Sequence, residues 1–251
     1  YLEAMDNCWY YMKPDGSMAI GWLDIDKNRY YFQKDGIPAH GVTVIDGKSY
    51  LFADDTGILQ CSKTVNGITT DGNGVITKRQ LSVKYISQSG FPTGCESASA
   101  VMLLQNAGYN VSVADFVDKY LDKGGFTWKN GIQYGPDPNS KFVGDPRSSS
   151  GFGCYAPVLT KAMNKILGNG KTAKNLTGAA FTSLVTDYID NGIPVAVWAS
   201  INMVNVDNGR QWVIPETGQL FTWKRHEHCL VLVGYDAEYY YMNDPYQSKG
   251  L

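Results

Sequence analysis

The sequence predicts an α+β domain at residues 81–251, preceded by a solenoid of short β-hairpins at residues 1–80. Aromatic clusters return about every 20 residues through the first 60 residues. Helical patterns with clear ends then lie between residues 95 and 189, and apolar strand patterns follow residue 193. Because helices come first and strands last, the second region is typical of an α+β domain rather than of alternating α/β units.

The composition is that of a globular protein that can bury a core. The 251 residues are 43% hydrophobic and 18% charged, with a net charge of −2. The length favours two units, and the charge balance gives no reason to expect nucleic acid as a partner. We expect no transmembrane segment. The first residues lack the basic and apolar pattern of a signal peptide, so we expect any targeting sequence to lie outside this chain.

The N-terminal region repeats an aromatic cluster followed by a glycine turn. The clusters are Trp9-Tyr10-Tyr11, Tyr30-Tyr31-Phe32 and Tyr50-Leu51-Phe52, and the turns are Asp15-Gly16, Asp35-Gly36 and Thr56-Gly57. A short strand, a glycine turn and a second strand predict a hairpin. One hairpin cannot bury its aromatic face alone, so we expect the hairpins to stack. Residues 61–78 read as one more unit without aromatics.

These repeats resemble the cell-wall-binding repeats of Gram-positive surface proteins, in which Gly-Trp precedes Trp-Tyr-Tyr and Asp-Gly. The resemblance implies that choline is held in an aromatic cage, since ring faces attract a quaternary ammonium. Trp9, Tyr11, Trp22 and Tyr30 match the aromatic positions. One cage is expected, at the Trp9/Trp22/Tyr30 junction, because Val42 stands where the next tryptophan would be. Glucan or another wall polymer as ligand, and rings that only join hairpins, remain open alternatives.

A small, apolar run begins at Cys95 and stops at Gly108, which predicts a helix with Cys95 in its first turn. The N–H groups and dipole there favour a thiolate, so we expect a lowered cysteine pKa. The cysteine pattern predicts neither a disulfide framework nor a zinc site. Cys154 and Cys229 are interpreted as packing residues. The five cysteines are Cys8, Cys61, Cys95, Cys154 and Cys229.

The remaining elements follow from apolar patterns and their flanking residues. Ser112 and Asp115 form a capping pair before a second helix, and Pro157 begins a third. The polar, glycine-rich loop at residues 123–153 is long enough to be functional, and its aromatics are expected to line a substrate cleft. Strands are expected at residues 81–86, 193–201, 220–223, 228–235 and 238–243, and a further helix at 179–189.

A thiol needs a base, and the base needs an orienting group. A hairpin centred on Ala237 makes His228 and Asp244 diagonal neighbours on one face, about 7–8 Å apart at Cα. A slip of one residue would separate them. Gln88, seven residues before Cys95, could donate to an oxyanion, although an ordinary loop glutamine is the alternative. Of the other histidines, His226 is expected to be solvent-exposed and His40 to lie on a turn.

Three motifs are similar to those of the C39-like cysteine peptidases, which are papain-like enzymes with the chain order Gln, Cys, His, Asp. They are Gln88 with Cys95, His228 opening Cys-Leu-Val-Leu-Val-Gly-Tyr-Asp, and Asn243-Asp244-Pro245-Tyr246. The resemblance implies that Cys95 is the nucleophile, His228 the general base and acid, Asp244 the orienting carboxylate and Gln88 the oxyanion donor. We expect no metal and no cofactor. Glu227, next to the base, could tune the site, but the expected role is a hydrogen bond to nearby backbone.

We therefore expect a secreted cysteine peptidase, associated with a Gram-positive cell wall, that hydrolyses peptide or amide bonds through an acyl-enzyme. Its expected partners are a peptide or peptidoglycan-peptide substrate and a wall polymer, either choline-bearing teichoic acid or glucan. Relatives that process bacteriocin leaders are fused to transporters, and that role is not expected here. The alternatives are a papain-fold transpeptidase or amidase on wall peptides, and a non-catalytic choline- or glucan-binding adhesin. The chain ends seven residues after Asp244, earlier than we expect of a complete domain.

Overall fold

The computed structural model describes residues 2–3 and 9–246, with side chains from Trp9 onward. These residues form a mixed, sheet-rich fold with few helices. The strands are β1 (Leu2–Glu3), β2 (Trp9–Tyr10), β3 (Gly21–Ile25), β4 (Asn28–Phe32), β5 (Gly41–Ile45), β6 (Lys48–Phe52), β7 (Thr64–Val65), β8 (Ile68–Thr70), β9 (Ile76–Gln80), β10 (Lys123–Gly124), β11 (Thr127–Lys129), β12 (Ile132–Tyr134), β13 (Phe142–Val143), β14 (Val195–Ser200), β15 (Asn208–Val213), β16 (Leu220–Lys224), β17 (Glu227–Tyr235) and β18 (Tyr240–Asn243).

The helices are short, and two of them continue into a π-helical turn. They are α1 (Cys95–Asn106), α2 (Val113–Asp115) with the π-turn Phe116–Tyr120, α3 (Ala156–Asn164), and α4 (Phe181–Leu184) with the π-turn Val185–Ile189. Among the described residues, no helix combines the length and the apolar character needed to cross a membrane.

The chain divides into two compact units. The first contains residues 1–81, 181–193 and 234–239, and the second contains residues 82–180, 194–233 and 240–251. Each unit is a set of residues that contact one another and is made of several separate stretches of chain. The predicted domains at 1–80 and 81–251 therefore stay a prediction.

The hairpins of the first unit are confirmed, but their turns lie elsewhere than predicted. Strand β3 pairs with β4, and β5 with β6, each as a separate two-stranded antiparallel sheet. The first turn is formed by Asp26 and Lys27, at φ 47° and 69°, and the second by Asp46 and Gly47, at φ 48° and 75°. Positive φ at both central residues gives the turn twist that matches paired strands. The predicted turn at Asp15-Gly16 instead follows the aromatic strand and connects one hairpin to the next. A stacked solenoid stays a prediction.

The rest of the first unit is built on β9. Residues 64–80 form a meander of β7, β8 and β9, as expected for a unit without aromatics. Gly234 and Tyr235, the last residues of β17, pair with β9. The Arg79 guanidinium donates to the Ile189 carbonyl at 3.3 Å, and the Tyr235 hydroxyl donates to Asp190 at 2.7 Å. These contacts group residues 181–193 with the first unit.

In the second unit, α1 ends as predicted, because Gly108 takes φ 93° and the Tyr109 N–H donates to the Leu104 carbonyl. The predicted cap is also present, since the Asp115 N–H donates to the Ser112 hydroxyl at 3.0 Å. The core around α1 is fully buried at Ala98 and Leu104, among others.

Strand β17 contributes residues 227–233 to the second unit, where it pairs with β14 and β18. Met102 of α1 packs against Val231 and Val233 of this strand. Strands β11, β12, β15 and β16 form a separate four-stranded sheet. The strand expected at residues 81–86 is wrong, because this segment has no ladder partner; the strand is β9, which ends at Gln80.

Candidate active site

Cys95 is the first residue of α1, where the sequence placed it. Its side chain is buried, and Sγ donates a 3.3 Å hydrogen bond to Oε2 of Glu96. The expected lowering of its pKa is wrong: burial raises the pKa of the Cys95 thiol well above its ordinary value, and the carboxyl groups of Glu96 and Glu227 add to the rise. The helix start favours a thiolate, but loss of water and two neighbouring acids outweigh that effect.

Two glutamates lie beside the thiol, and Glu96 was not among the predicted site residues. Glu96 is fully buried, and burial raises its pKa to about 7. Oε1 of Glu227 is buried and makes no hydrogen bond within the described chain, so the expected backbone contact is absent at this oxygen. Burial, and then the neighbouring Glu96, raise the pKa of Glu227 well above its ordinary value. The sequence could have suggested both glutamates, because each is adjacent to a catalytic candidate: Glu96 follows Cys95, and Glu227 precedes His228.

These acids and the thiol form the cluster that could hold a metal ion. The Sγ of Cys95 and one carboxyl oxygen each of Glu96 and Glu227 all lie within 4.8 Å of one another. Cys and Glu are both zinc ligands in proteins. The predicted absence of a metal stays a prediction.

His228 and Asp244 form a buried pair. The Nε2 of His228 lies 2.6 Å from Oδ1 of Asp244, and that oxygen also accepts the Tyr246 N–H at 2.9 Å. The contact that the hairpin argument predicted is therefore present, although the turn is wider than assumed, with the Asp236 N–H donating to the Tyr239 carbonyl. Asp244 lies beyond the last residue of β18, so its side chain is not restricted by strand alternation.

The side chains of Cys95 and His228 form hydrogen bonds with different partners. Among residues 9–246, no hydrogen bond joins the Cys95 thiol to the His228 imidazole. Alternation along β17 directs Glu227 and Cys229 to one face and His228 to the other, and the thiol lies beside Glu227. The structure therefore brings Cys95 together with the two glutamates, and His228 together with Asp244.

Gln88 lies on the loop before α1 and is buried. Its Nε2 donates to the carbonyls of Phe91 and Pro92 at 3.3 and 3.2 Å, while Oε1 is buried without a hydrogen bond in the described chain. Its backbone N–H donates to the Pro245 carbonyl at 2.9 Å. In this arrangement the amide donors stay within the loop, and the backbone bond ties the loop to the residue after Asp244.

The other candidates behave mostly as expected. His226 and His40 are exposed, and Cys154 and Cys229 are fully buried packing residues. The loop at residues 123–153 departs from expectation, because Phe142 is fully buried. Phe152 packs on Trp212 at 5.5 Å between ring centroids. Only Trp128, 66% exposed, is an openly accessible ring of the kind expected in a cleft.

The family model described as the Peptidase_C39 like family matches residues 80–250. The chain belongs to this family. The match covers the Gln88 loop, α1, and the pair of His228 and Asp244. The fold of a C39-like peptidase is therefore established for the second region of the chain, in agreement with the resemblance of its motifs.

Two proteins are similar over much of the chain. The uncharacterized protein YvpB of Bacillus subtilis (strain 168) is 34% identical over 157 residues, which are 62% of this chain and 59% of that protein. The chain thus spans less than two thirds of this relative. The crystal structure of a candidate C39-like peptidase from Bacillus anthracis is 29% identical, with a TM-score of 0.58, covering 67% of this chain and 82% of that one.

The repeats have a smaller likeness. Choline binding protein F from Streptococcus pneumoniae is 30% identical over 29% of this chain and 24% of its own, with a TM-score of 0.27, which is too low to bear on this chain's ligand. In this structure Trp9 packs edge-on against Tyr30 at 5.4 Å. Trp22 contacts Tyr50 at 5.0 Å, and within residues 9–246 it makes no ring contact with Trp9 or Tyr30.

The expected single cage at the Trp9/Trp22/Tyr30 junction is therefore divided between two ring clusters. Tyr11 joins the first through Phe32, at 6.3 Å. The guanidinium of Arg29 lies over the Trp22 ring at 5.1 Å from its centroid. A cation of the protein itself thus stands on the ring face where a quaternary ammonium was expected.

Proposed function

We propose that this protein is a cysteine peptidase that hydrolyses peptide or amide bonds, with Cys95 as nucleophile, His228 as base and acid, and Asp244 as the orienting carboxylate. The observation that carries the proposal is the buried His228–Asp244 pair, at 2.6 Å. Because Nε2 takes the carboxylate, Nδ1 is the ring nitrogen left to exchange a proton with a thiol. Membership of the Peptidase_C39 like family supports the same reading.

The reaction begins when the Cys95 thiol leaves Glu96 and gives its proton to Nδ1 of His228. The thiolate attacks the substrate carbonyl, and the oxyanion accepts from the Cys95 N–H, one of the helix-start groups without an intrahelical partner. Gln88 adds a second donor once its amide leaves the loop carbonyls. The imidazolium, oriented by Asp244, protonates the leaving amine. Water then attacks the thioester with His228 as base, which releases the acid and restores the thiol.

We further propose that residues 1–80 act as a separate wall-binding domain on a secreted protein, holding the peptidase domain at residues 81–251 near peptidoglycan peptides. Ring clusters around Trp9 and Trp22 support a role in binding a wall polymer. Retention on immobilised choline and on glucan, each challenged with the free ligand, tests this part. Passage of the intact chain through both matrices would contradict it.

The peptidase activity is tested by incubating the protein and its Cys95→Ala variant with a peptide library and with purified cell wall, followed by mass spectrometry of the products. Cys61→Ala is the matched control, since this free thiol lies in the repeats. We expect new products with the wild type and Cys61→Ala and none with Cys95→Ala. Equal products from all three proteins would sink the proposal. Transfer of an acyl group to an added amine, instead of release of an acid, would identify a transpeptidase.

A non-catalytic wall-binding protein is the second candidate. The observation that favours it is the buried Cys95 thiol, which hydrogen-bonds Glu96 and not His228 and whose pKa is raised by burial. Under this reading Cys95 is alkylated no faster than the buried Cys154 between pH 5 and pH 9, and no substrate yields a product that depends on Cys95.

A further inference from the structure

A pocket of about 330 Å³ lies in the repeat region. Its lining comes from β3, β4, β6 and the turn between β8 and β9, which all belong to the first compact unit. The volume is within the range of small-ligand sites in proteins. Two aromatic rings, two cations, an acid and an amide line it, and these are Trp22, Tyr50, Arg29, Lys48, Asp71 and Asn73.

Arg29 stands where the preceding repeat has an aromatic ring. The turns Asp15-Gly16 and Asp35-Gly36 are equivalent, because the same backbone hydrogen bond closes each of them. Aligned on these turns, Arg29 takes the position of Trp9. Its guanidinium lies over the Trp22 ring, at 5.1 Å from the centroid. A cation therefore replaces one wall of the aromatic cage that the repeats predict.

The guanidinium of Arg29 keeps donors for a ligand. Its Nε lies 3.6 Å from Oδ1 of Asp24, in an exposed ion pair that is too long for a hydrogen bond. Within residues 9–246, no group accepts a hydrogen bond from its two terminal amino groups. Paired N–H donors of arginine match the oxygens of a carboxylate or a phosphate. The Arg29 side chain is thus suited to an anion.

Lys48 brings a second cation to the pocket. It lies on the same face of β6 as Tyr50, since side chains alternate along a strand. Its ammonium forms no ion pair with any residue that the structure describes. Asp71 is the acid of the lining, and its Oδ1 accepts the N–H groups of Asn73 and Val75, each at 2.9 Å. Two positive charges against one negative charge favour an anionic ligand.

The other groups of the pocket suit the ring of a sugar. The rings of Trp22 and Tyr50 lie 5.0 Å apart between centroids and give the pocket an apolar wall. In the described chain, Oδ2 of Asp71 accepts no hydrogen bond, and the amide of Asn73 is exposed. A carboxylate oxygen and an amide together accept from and donate to hydroxyl groups. An apolar wall with a few polar groups is the usual lining of a ligand site.

We propose that this pocket binds a sugar that carries an anionic group, either a phosphate or a carboxylate. Arg29 and Lys48 hold the anion, while the hydroxyl groups bond to Asp71 and Asn73. The inference rests on the proposed wall-binding role of residues 1–80, because it names the chemistry of the polymer unit bound there. Choline is disfavoured at this junction, since both cations repel a quaternary ammonium. A neutral glucan gains nothing from the two charges.

The test is a nitrogen-15 NMR titration of the intact protein that follows the indole N–H signal of Trp22, assigned with Trp22→Phe. The probes are glucose-6-phosphate, glucuronic acid, glucose and choline, all at one ionic strength. We expect at least one of the two acids to bind about tenfold more tightly than glucose or choline. The tighter acid identifies the anion. Equal binding of glucose and both acids, or no shift with either acid, overturns the proposal.

Variants of the two cations separate a built site from general attraction. Lys48→Gln should weaken binding of the preferred acid about three- to fivefold and leave glucose within about twofold. The control is Lys34→Gln, which removes the same charge from an exposed residue outside the lining and should change nothing. Arg29→Trp copies the preceding repeat and should make choline the tighter ligand. Equal losses in Lys48→Gln and Lys34→Gln overturn the proposal.

These outcomes differ from those that test the wall-binding role. Retention on choline or glucan without a shift by either acid would refute the anionic sugar and leave the wall-binding role intact. Binding of an acid by a chain that passes through both matrices would refute choline and glucan as ligands and leave the pocket intact. Neither measurement uses peptide hydrolysis, so both are independent of the proposed peptidase.

Discussion

Replacement of Gly153 by alanine is the sharpest steric test of the site. The new Cβ would lie 2.2 Å from Oε1 of Glu96, more than 1 Å closer than an ordinary contact, and 3.1 Å from the Trp223 ring. Relief of this overlap requires Glu96 to move and to lose the bond from the Cys154 N–H. A lost hydrogen bond to a charged group costs about 1.5–3 kcal/mol, and overpacking adds about 1–3 kcal/mol. We expect the free energy of unfolding to fall by about 2.5–6 kcal/mol in total.

Urea unfolding followed by tryptophan fluorescence measures this loss, with Gly125→Ala as the matched control. A Cβ on the exposed Gly125 would meet no atom within 4 Å, so its expected change is within about 0.5 kcal/mol. A loss below about 1 kcal/mol in Gly153→Ala would show that Glu96 can relocate at little cost. That result would refute the view that Gly153 fixes the two acids beside Cys95.

Three further predictions address the pair at His228, the pH dependence of stability and the repeats. Asp244→Ala should lower the free energy of unfolding by about 1–3 kcal/mol and kcat/KM by about 10²–10⁴-fold, because it leaves the buried Nε2 of His228 without an acceptor. Asp244→Asn should lose activity with a smaller loss of stability. Peptide hydrolysis and urea unfolding measure both quantities, and equal activity in the wild type and the two variants would contradict the orienting role of Asp244. Burial raises the pKa of Glu96 from 4.5 to about 7 on folding, so the folded state binds more protons than the unfolded state between these pH values. The free energy of unfolding should therefore fall by about 3 kcal/mol as pH rises from 4.5 to 7. In urea unfolding, Glu96→Gln should show a weaker dependence of this free energy on pH, and an equally steep dependence would contradict the prediction. Arg29→Gln should raise choline affinity about 2–5-fold by calorimetry, since it clears the Trp22 face of a cation, and unchanged or weaker binding would show that this face takes no choline.

The elements that the sequence predicted best are those specified by local signals. Gly108 ends α1 through a backbone conformation that suits glycine, and Ser112 caps the next helix through a bond three residues away. The hairpin turns were misplaced because each repeat has a second turn besides the predicted glycine turn, at Asp26-Lys27 in one repeat and Asp46-Gly47 in the next. Only strand pairing decides which of the two lies inside a hairpin.

The chemistry of the site also has a part that the sequence predicted and a part that only tertiary contacts decided. The sequence shows the order of Gln88, Cys95, His228 and Asp244, and the hairpin correctly predicts that His228 lies near Asp244. Strand parity does not fix this contact, because Asp244 lies beyond the last residue of β18. The state of the Cys95 thiol was not predictable from its helix position. Its pKa depends on burial and on two acids that come from α1 and β17, and the cost of a buried charge is set by everything that surrounds it.

The sequence by itself determined the hairpins of the repeat region and the helix that begins at Cys95, because these depend on local conformation. It also predicted that a C-terminal hairpin brings His228 near Asp244. Only the tertiary structure decided which groups meet the thiol. Glu96 and Glu227 are separated by 131 positions in the chain, and no local pattern reports that they share one buried space across Gly153.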